Sequence, residues 1–144
     1  MQSWPSERIA VVGTVDPQTV ANIEQLTDAV DMSKFHSALF ILLLGNMAAE
    51  TIDFSVQESD AAGGTYTNLK AATQLAAHAS NNDNKQIVIA VRSDELGAGK
   101  RYLKGRIITG NTTGGPIAVV ALGVDPRFGP ASDDDLADVV QIVT

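Results

Sequence analysis

The stretch TIDFSVQ, residues 51–57, alternates polar and apolar side chains at every position and predicts a half-buried β-strand. Successive side chains of a strand point to opposite faces, so Ile52, Phe54 and Val56 share one face. Asp53 and Ser55 then lie on the opposite face. We expect the three apolar side chains to point into a hydrophobic core.

Six further short segments have the same strand-like character and are bounded by turn signals: residues 9–15, 25–32, 38–44, 86–92, 102–109 and 117–122. Residues 38–44 are apolar on both faces, which predicts a central strand covered on both sides. Asp16-Pro17 predicts a turn after the first strand. Because no βαβ rhythm separates the segments, we expect an all-β fold, an antiparallel sandwich of jelly-roll-like form.

Two segments leave their structure open. Residues 67–80 suit a helical face formed by Leu69, Ala72, Leu75 and Ala79, but short strands around Leu69 and Leu75 fit as well. Residues 133–140 could form one or two helical turns, with Ser132 as the N-cap, or residues 139–143 could extend as a strand. Residues 1–8 show no strand pattern and look irregular.

The chain has 144 residues, which suits one domain, here residues 9–144 after a short N-terminal arm of residues 1–8. It has no cysteine, which excludes disulfides and thiolate chemistry. The formal net charge of −7 argues against nucleic acid and anionic membranes as partners. With no signal pattern and no apolar run of membrane-spanning length, a protein made in a reducing cytoplasm is expected.

The few catalytic candidates have simpler structural explanations. Residues 97–100 (GAGK) resemble the end of a phosphate loop, but Arg101 stands where the motif needs Ser or Thr, so a glycine-rich turn is favoured. His36 and His78 have no nucleophile motif beside them.

An acidic cluster, formed by Asp133, Asp134, Asp135 and Asp138, could bind Ca²⁺. Its adjacent acids fit the start of a helix better than the alternate spacing of a Ca²⁺ loop. We therefore assign no catalytic residue, no metal ligand and no cofactor, and we expect a protein that is not an enzyme.

Two features point to interfaces. Trp4 lies in the N-terminal arm and could anchor to a neighbouring subunit or fold back on its own domain. Lys100, Arg101, Lys104 and Arg106 form a basic stripe in an acidic chain. Lys104 and Arg106 share one strand face, which could meet an acidic partner or simply face solvent.

Several stretches, in their order and spacing, resemble a family of small structural proteins of tailed bacteriophages. They are DMSKF at 31–35, ETIDF at 50–54, NKQ at 84–86, DEL at 94–96 followed by Arg101-Tyr102, ALG at 121–123, RFGPASD at 127–133 and Leu136. The resemblance covers about residues 9–144 and departs at 71–80, where the family looks more strand-like.

Members of this family look like head decoration, or cement, proteins. The resemblance implies a domain that trimerises and clamps the outer capsid surface, with the major capsid protein and itself as partners and no catalytic residues. It places the protein on the virion. The alternatives are a neck, tail or head-fibre base module, or a carbohydrate-binding β-sandwich. The last would need exposed aromatic residues on one sheet face, for which Trp4, Tyr66 and Tyr102 are the candidates.

Overall fold

The computed structural model describes residues 2–78, 81–110 and 113–144 and consists mainly of β-strands. One helical turn, α1 (Pro5–Arg8), precedes the strands. The strands are β1 (Ile9–Val20), β2 (Gln25–Leu26), β3 (Val30–Asp31), β4 (Phe35–Leu44), β5 (Ile52–Ser59), β6 (Thr67–Ala71), β7 (Gln86–Arg92), β8 (Tyr102–Thr109) and β9 (Gly115–Pro126). Short 3₁₀ turns cover Ser93–Glu95 and Ala131–Asp134.

The strands form two antiparallel sheets. One sheet has the order β1-β9-β4-β7, and the other has the order β2-β8-β5-β6 with β3 also paired to β8. The buried hydrophobic residues of both sheets form one cluster between them. The all-β antiparallel sandwich expected from the sequence is therefore confirmed.

The core follows the alternation of the strands. Ile52, Phe54 and Val56 of β5 are all buried, as the pattern of residues 51–57 predicts. Across the sandwich, Phe40 of β4 lies against Gly105 of β8, where a Cβ atom would come within 2.9 Å of the phenyl ring. Glycine at this position lets the two sheets approach each other, because no side chain separates the ring from the backbone.

Strand β4 lies inside its sheet, between β9 and β7, but it is covered on one side only. Phe40 and Leu42 are buried, whereas Leu39 and Ile41 are half-buried and Leu43 is exposed. The expectation that both faces of residues 38–44 are covered is wrong within this chain. A two-layer sandwich has no third layer to cover the outer side of either sheet.

The first strands also differ from expectation. Strand β1 continues past Asp16-Pro17 to Val20, so the predicted turn is a register shift between Val15 and Gln18 inside the strand. Such a bulge accommodates proline because the extra residue is left out of the ladder. Residues 25–32 contain two separate two-residue strands, between which buried Thr27 accepts a hydrogen bond from the Gly105 N–H at 2.9 Å.

The ambiguous segments are settled by backbone hydrogen bonds. Residues 67–71 form β6, and Leu75 pairs with Ile52 through two hydrogen bonds of 3.0 Å, so the helical interpretation of 67–80 is wrong. Ala79 lies outside the described residues. Ala131–Asp134 form a 3₁₀ turn and residues 135–144 form neither helix nor strand, so both interpretations of residues 133–143 are wrong. Residues 5–8 form a helical turn rather than an irregular arm.

Replacing Phe54 by alanine removes a fully buried ring, and we expect Phe54→Ala to lower the free energy of unfolding by about 3–5 kcal/mol. The matched control is Phe128→Ala, because Phe128 is 81% exposed and its loss should change stability by less than about 0.5 kcal/mol. Denaturant unfolding of both variants measures the difference. Equal stability of the two variants would contradict the position of Phe54 in the core.

Candidate interaction surfaces

The side of the β1-β9-β4-β7 sheet that faces away from the core carries apolar residues on all four strands. We call this surface the outer apolar face. Its members are Val11 of β1, Ala118, Val120, Leu122 and Val124 of β9, Leu39, Ile41 and Leu43 of β4, and Val88 and Ala90 of β7. They are half-buried or exposed, and Val88 is 57% exposed.

Strand register aligns these residues into rows. One row across the sheet runs from Val11 through Leu122 and Leu39 to Ala90. In the next row Ile41 lies between Val120 and Val88. The solvent-facing side of an antiparallel sheet is normally polar, and a large apolar patch usually marks a site of contact with another molecule. The outer apolar face is therefore suited to bind a protein surface.

The sequence contains the signal for this surface, in the two apolar faces of residues 38–44. Sequence reasoning attributed the second apolar face to burial within the chain and so missed the site. Polar residues border this face. Arg92 lies beside Ser37 at one corner, Gln86 lies beside Leu43, and Thr14 lies beside Val120.

The opposite outer surface, on the second sheet, is polar. Along β8, Leu103 and Ile107 are buried, whereas Lys104 and Arg106 point outward, so the expectation that these two basic residues share a face is confirmed. In the register of β5 and β8, Lys104 lies beside Gln57 and Arg106 lies beside Ser55.

Most of the basic stripe is engaged within the chain. Arg101 donates two hydrogen bonds of 2.8 and 2.7 Å to the Asp31 carboxylate, and Arg106 donates one to Glu24. The Lys104 ammonium lies 4.8 Å from the centre of the Tyr66 ring. These contacts reduce the positive charge available to a partner, and the role of the stripe in an interface stays a prediction.

Lys100 closes a tight turn. Its backbone N–H donates to the Gly97 carbonyl at 2.9 Å, and Gly99 has a φ of +77°, which favours glycine. The Gly97 N–H donates to the Glu58 carboxylate at 2.9 Å. The glycine-rich turn predicted for residues 97–100 is confirmed.

The N-terminal arm is attached to the sandwich but leaves its tryptophan exposed. Arg8 forms a salt bridge of 2.8 Å with Asp125 of β9, and the backbone N–H of Trp4 donates to the Glu7 carboxylate at 2.7 Å. The Trp4 side chain is 57% exposed. It is available to a neighbouring subunit, and its interface role stays a prediction.

Two residues of the acidic cluster, Asp134 and Asp135, bind other parts of the chain. Asp134 pairs with Lys34 at 2.7 Å, which raises the pKa of the lysine, and Asp135 accepts a hydrogen bond of 2.6 Å from the Val11 N–H. Within residues 2–78, 81–110 and 113–144, no group of three or more His, Cys, Asp or Glu side chains is arranged to hold a metal ion.

The two histidines do not form one site. His36 is the second residue of β4. His78 lies in the loop before β7, and the Asn84 N–H of that loop donates to the carbonyl of Gly45, which follows the last residue of β4. They therefore lie towards opposite ends of β4. No helix in the described part of the chain is long and apolar enough to cross a membrane.

The three candidate aromatic residues do not line one sheet face. Tyr102 and Tyr66 lie at the second sheet, and a basic side chain covers one side of each ring, with Arg101 at 5.1 Å from the centre of Tyr102. Burial raises the pKa of Tyr66, whose hydroxyl donates to the Ala62 carbonyl at 2.8 Å. Trp4 lies before β1 of the other sheet.

No protein-family model matches the chain, and no curated protein matches it in sequence. Solved structures with a similar arrangement include a chain of infectious bursal disease virus, Gt strain, with 10% identity, a TM-score of 0.46 and coverage of 92% of this chain and 36% of that one. The cleaved K3 adhesin domain of Lys-gingipain from Porphyromonas gingivalis has 14% identity, a TM-score of 0.44 and coverage of 69% and 63%. The mannan-recognising carbohydrate-binding module TmCBM27 has 11% identity, a TM-score of 0.43 and coverage of 84% and 90%.

These neighbours include a viral chain and a carbohydrate-binding module. This chain spans less than two thirds of the first two. All three TM-scores lie below 0.5, so the likeness carries no argument about function.

The ion pair between Arg101 and Asp31 generates a pH-dependent prediction. The guanidinium lowers the pKa of Asp31 from 3.8 to about 2, so the pair stabilises the fold above about pH 4 and loses its effect as the pH falls towards about 2. We expect Asp31→Asn to cost about 0.5–1 kcal/mol at neutral pH, because solvent screens the pair.

Thermal unfolding of the parent and of Asp31→Asn across this range measures the effect, and the two curves should converge at the acid end. Asp133→Asn serves as the control, since Asp133 is exposed and should show no such convergence. A constant difference between parent and Asp31→Asn down to about pH 2 would contradict the low pKa of Asp31.

Proposed function

We propose that this chain is a structural virion protein that decorates and cements the outer surface of a tailed-phage capsid as a homotrimer. The observation that carries the proposal is the outer apolar face, a surface that needs a protein partner. The resemblance of residues 9–144 to head decoration proteins supplies the kind of partner, the major capsid protein. In this proposal the protein is not an enzyme, uses no cofactor, and binds neither nucleic acid nor membrane.

The two outer surfaces of the sandwich suit this role because they differ in polarity. The outer apolar face would pack on the capsid, and the polar face that carries Lys104 and Arg106 would point away from it. Many copies on one particle need no strong pairwise affinity, since each added contact raises the avidity of the shell. The net charge of −7 would keep decorated particles apart.

The direct test is to mix the purified protein with capsids that lack it and to image the particles. Density at the three-fold or quasi-three-fold positions is expected. Density only at the portal or the tail would favour a neck, tail or head-fibre base module instead, and bare particles would reject both assignments.

A charge placed on the outer apolar face should weaken capsid binding without unfolding the protein. Leu43 is exposed, so Leu43→Glu should leave the fold intact while burying a carboxylate in the interface, and we expect binding to weaken about 10- to 100-fold. The matched control is Gln57→Glu on the polar sheet. Equal binding by both variants would show that another surface meets the capsid.

The carbohydrate-binding alternative has one observation in its favour, the position of Tyr66 and Tyr102 at the same sheet. Their partial coverage by Lys104 and Arg101 disfavours it. Calorimetry with soluble mannan and xylan separates the two functions. Saccharide binding that is lost in Tyr102→Ala would favour the alternative over the capsid.

A further inference from the structure

Residues 139–144 have the sequence of a β-strand but no sheet to join. The segment reads VVQIVT and is rich in β-branched side chains, which favour strands. Val140 is 94% exposed and Val143 is 82% exposed. Within the described part of the chain, the segment makes one hydrogen bond, from the Val139 N–H to the Leu136 carbonyl at 3.0 Å, which closes a local turn.

Strand β7 offers an open edge to such a segment. The Arg92 N–H points away from β4, since it donates to the Glu95 carboxylate at 2.7 Å, and the Ala90 carbonyl accepts from the Lys70 ammonium at 2.9 Å. Alternate residues of a paired strand point their backbone groups the same way, so those of Val88 and Gln86 also face outward. No described residue forms a hydrogen bond with the outward groups of Val88.

The other edge of this sheet is occupied around Val11 and Thr14. At β1 the Val11 N–H donates to Asp135, the Val11 carbonyl accepts from the Leu136 N–H at 2.8 Å, and the Thr14 N–H donates to the Asp28 carboxylate at 3.1 Å. An unpaired edge attracts another strand, because its backbone groups lack partners. Within this sheet, β7 is therefore an edge at which a strand can be added.

The segment is too short to reach the β7 edge of its own chain. Leu136 is fixed outside β1, and a position outside β7 lies five strand spacings away, or about 24 Å. The eight residues that follow Leu136 span at most about 29 Å when fully extended. That length is nearly used up by the distance alone, so residues 139–144 cannot lie along β7 of their own chain but can lie along β7 of a second copy.

We propose that residues 139–144 of one copy add as an antiparallel strand to the free edge of β7 in a second copy. In the register that pairs Ile142 with Val88, Val140 lies beside Ala90, and Asp138 lies beside the guanidinium-bearing Arg92. Apolar side chains then meet apolar side chains on the outer apolar face, while opposite charges meet at its corner. The added strand extends the rows of that face by one position.

The contact joins two different surfaces, a segment of one subunit and an edge of the next. Such a head-to-tail contact either closes into a ring or continues as a chain of subunits. Closure as a trimer rests on the proposed function, whereas the pairing itself requires only the segment and the edge. In this proposal, copies pair through the segment and the edge whether or not a capsid is present.

Removal of the segment tests the pairing in solution. We expect the full chain to form oligomers in sedimentation and native mass measurements, and a chain that ends at Asp138 to remain a monomer of slightly less than 15.1 kDa. Val88→Pro should have the same effect, because it removes an N–H that the β4 ladder does not use. Thermal unfolding checks that both variants are folded. Equal oligomer size with and without the segment would overturn the proposal.

Disulfide capture tests the register, and the chain has no cysteine of its own. Ile142→Cys and Val88→Cys are prepared as separate proteins, mixed and oxidised, and a covalent heterodimer is expected. The control mixes Ile142→Cys with Val120→Cys, which lies on the same face but inside the sheet. Equal capture by both mixtures would overturn the register.

The two proposals fail separately. A full chain that is monomeric in solution at all concentrations but binds capsids would overturn the strand pairing and leave capsid decoration standing, with any trimer formed only on the capsid. A chain that exchanges the segment but leaves capsids bare would support the exchange and reject the decoration function.

Discussion

The packing of the two sheets depends on the absence of a side chain at Gly105, against which the Phe40 ring lies. The ring of β4 occupies the space where a side chain of β8 would otherwise stand, since a Cβ atom at Gly105 would lie 2.9 Å from it. Thr27 lies at the same place and anchors the Gly105 N–H. The buried apolar residues form one cluster, which lies between the two sheets. The side chains on the outer sides of the sheets therefore contact either solvent or another molecule.

That constraint separates what the sequence could predict from what it could not. The alternation of residues 51–57 and 102–109 identifies two strands and their buried faces, because burial on one face is a local pattern. Residues 38–44 are apolar on both faces, and the pattern cannot tell a covering layer of the same chain from a separate molecule. The pattern predicts the strand correctly. The expectation that its second apolar face is buried within the chain is wrong, because Leu39 and Ile41 are half-buried and Leu43 is exposed.

Other differences arise from contacts that are distant in sequence. Spacing alone places Lys104 and Arg106 on one face, but nothing local predicts that Arg106 meets Glu24, 82 positions away, or that Arg101 meets Asp31, 70 positions away. The bulge at Pro17 likewise depends on the partner strand β9, which continues past it. Leu75 is extended because Ile52 supplies both of its backbone partners.

The two edge strands of the β1-β9-β4-β7 sheet differ in how far their backbone groups find partners within the chain. Strand β1 is protected by Asp28, Asp135 and the Leu136 backbone, all supplied by its own chain. Among the described residues, only Lys70 and Glu95 bond to the outward groups of β7, near one end of the strand, which leaves the part around Val88 open. A monomer that remained single would gain from blocking this part as well, since an open apolar edge promotes aggregation. The open edge lies beside an apolar face, in a chain that also carries an exposed β-branched segment, and these three features together are the basis for the strand pairing proposed above.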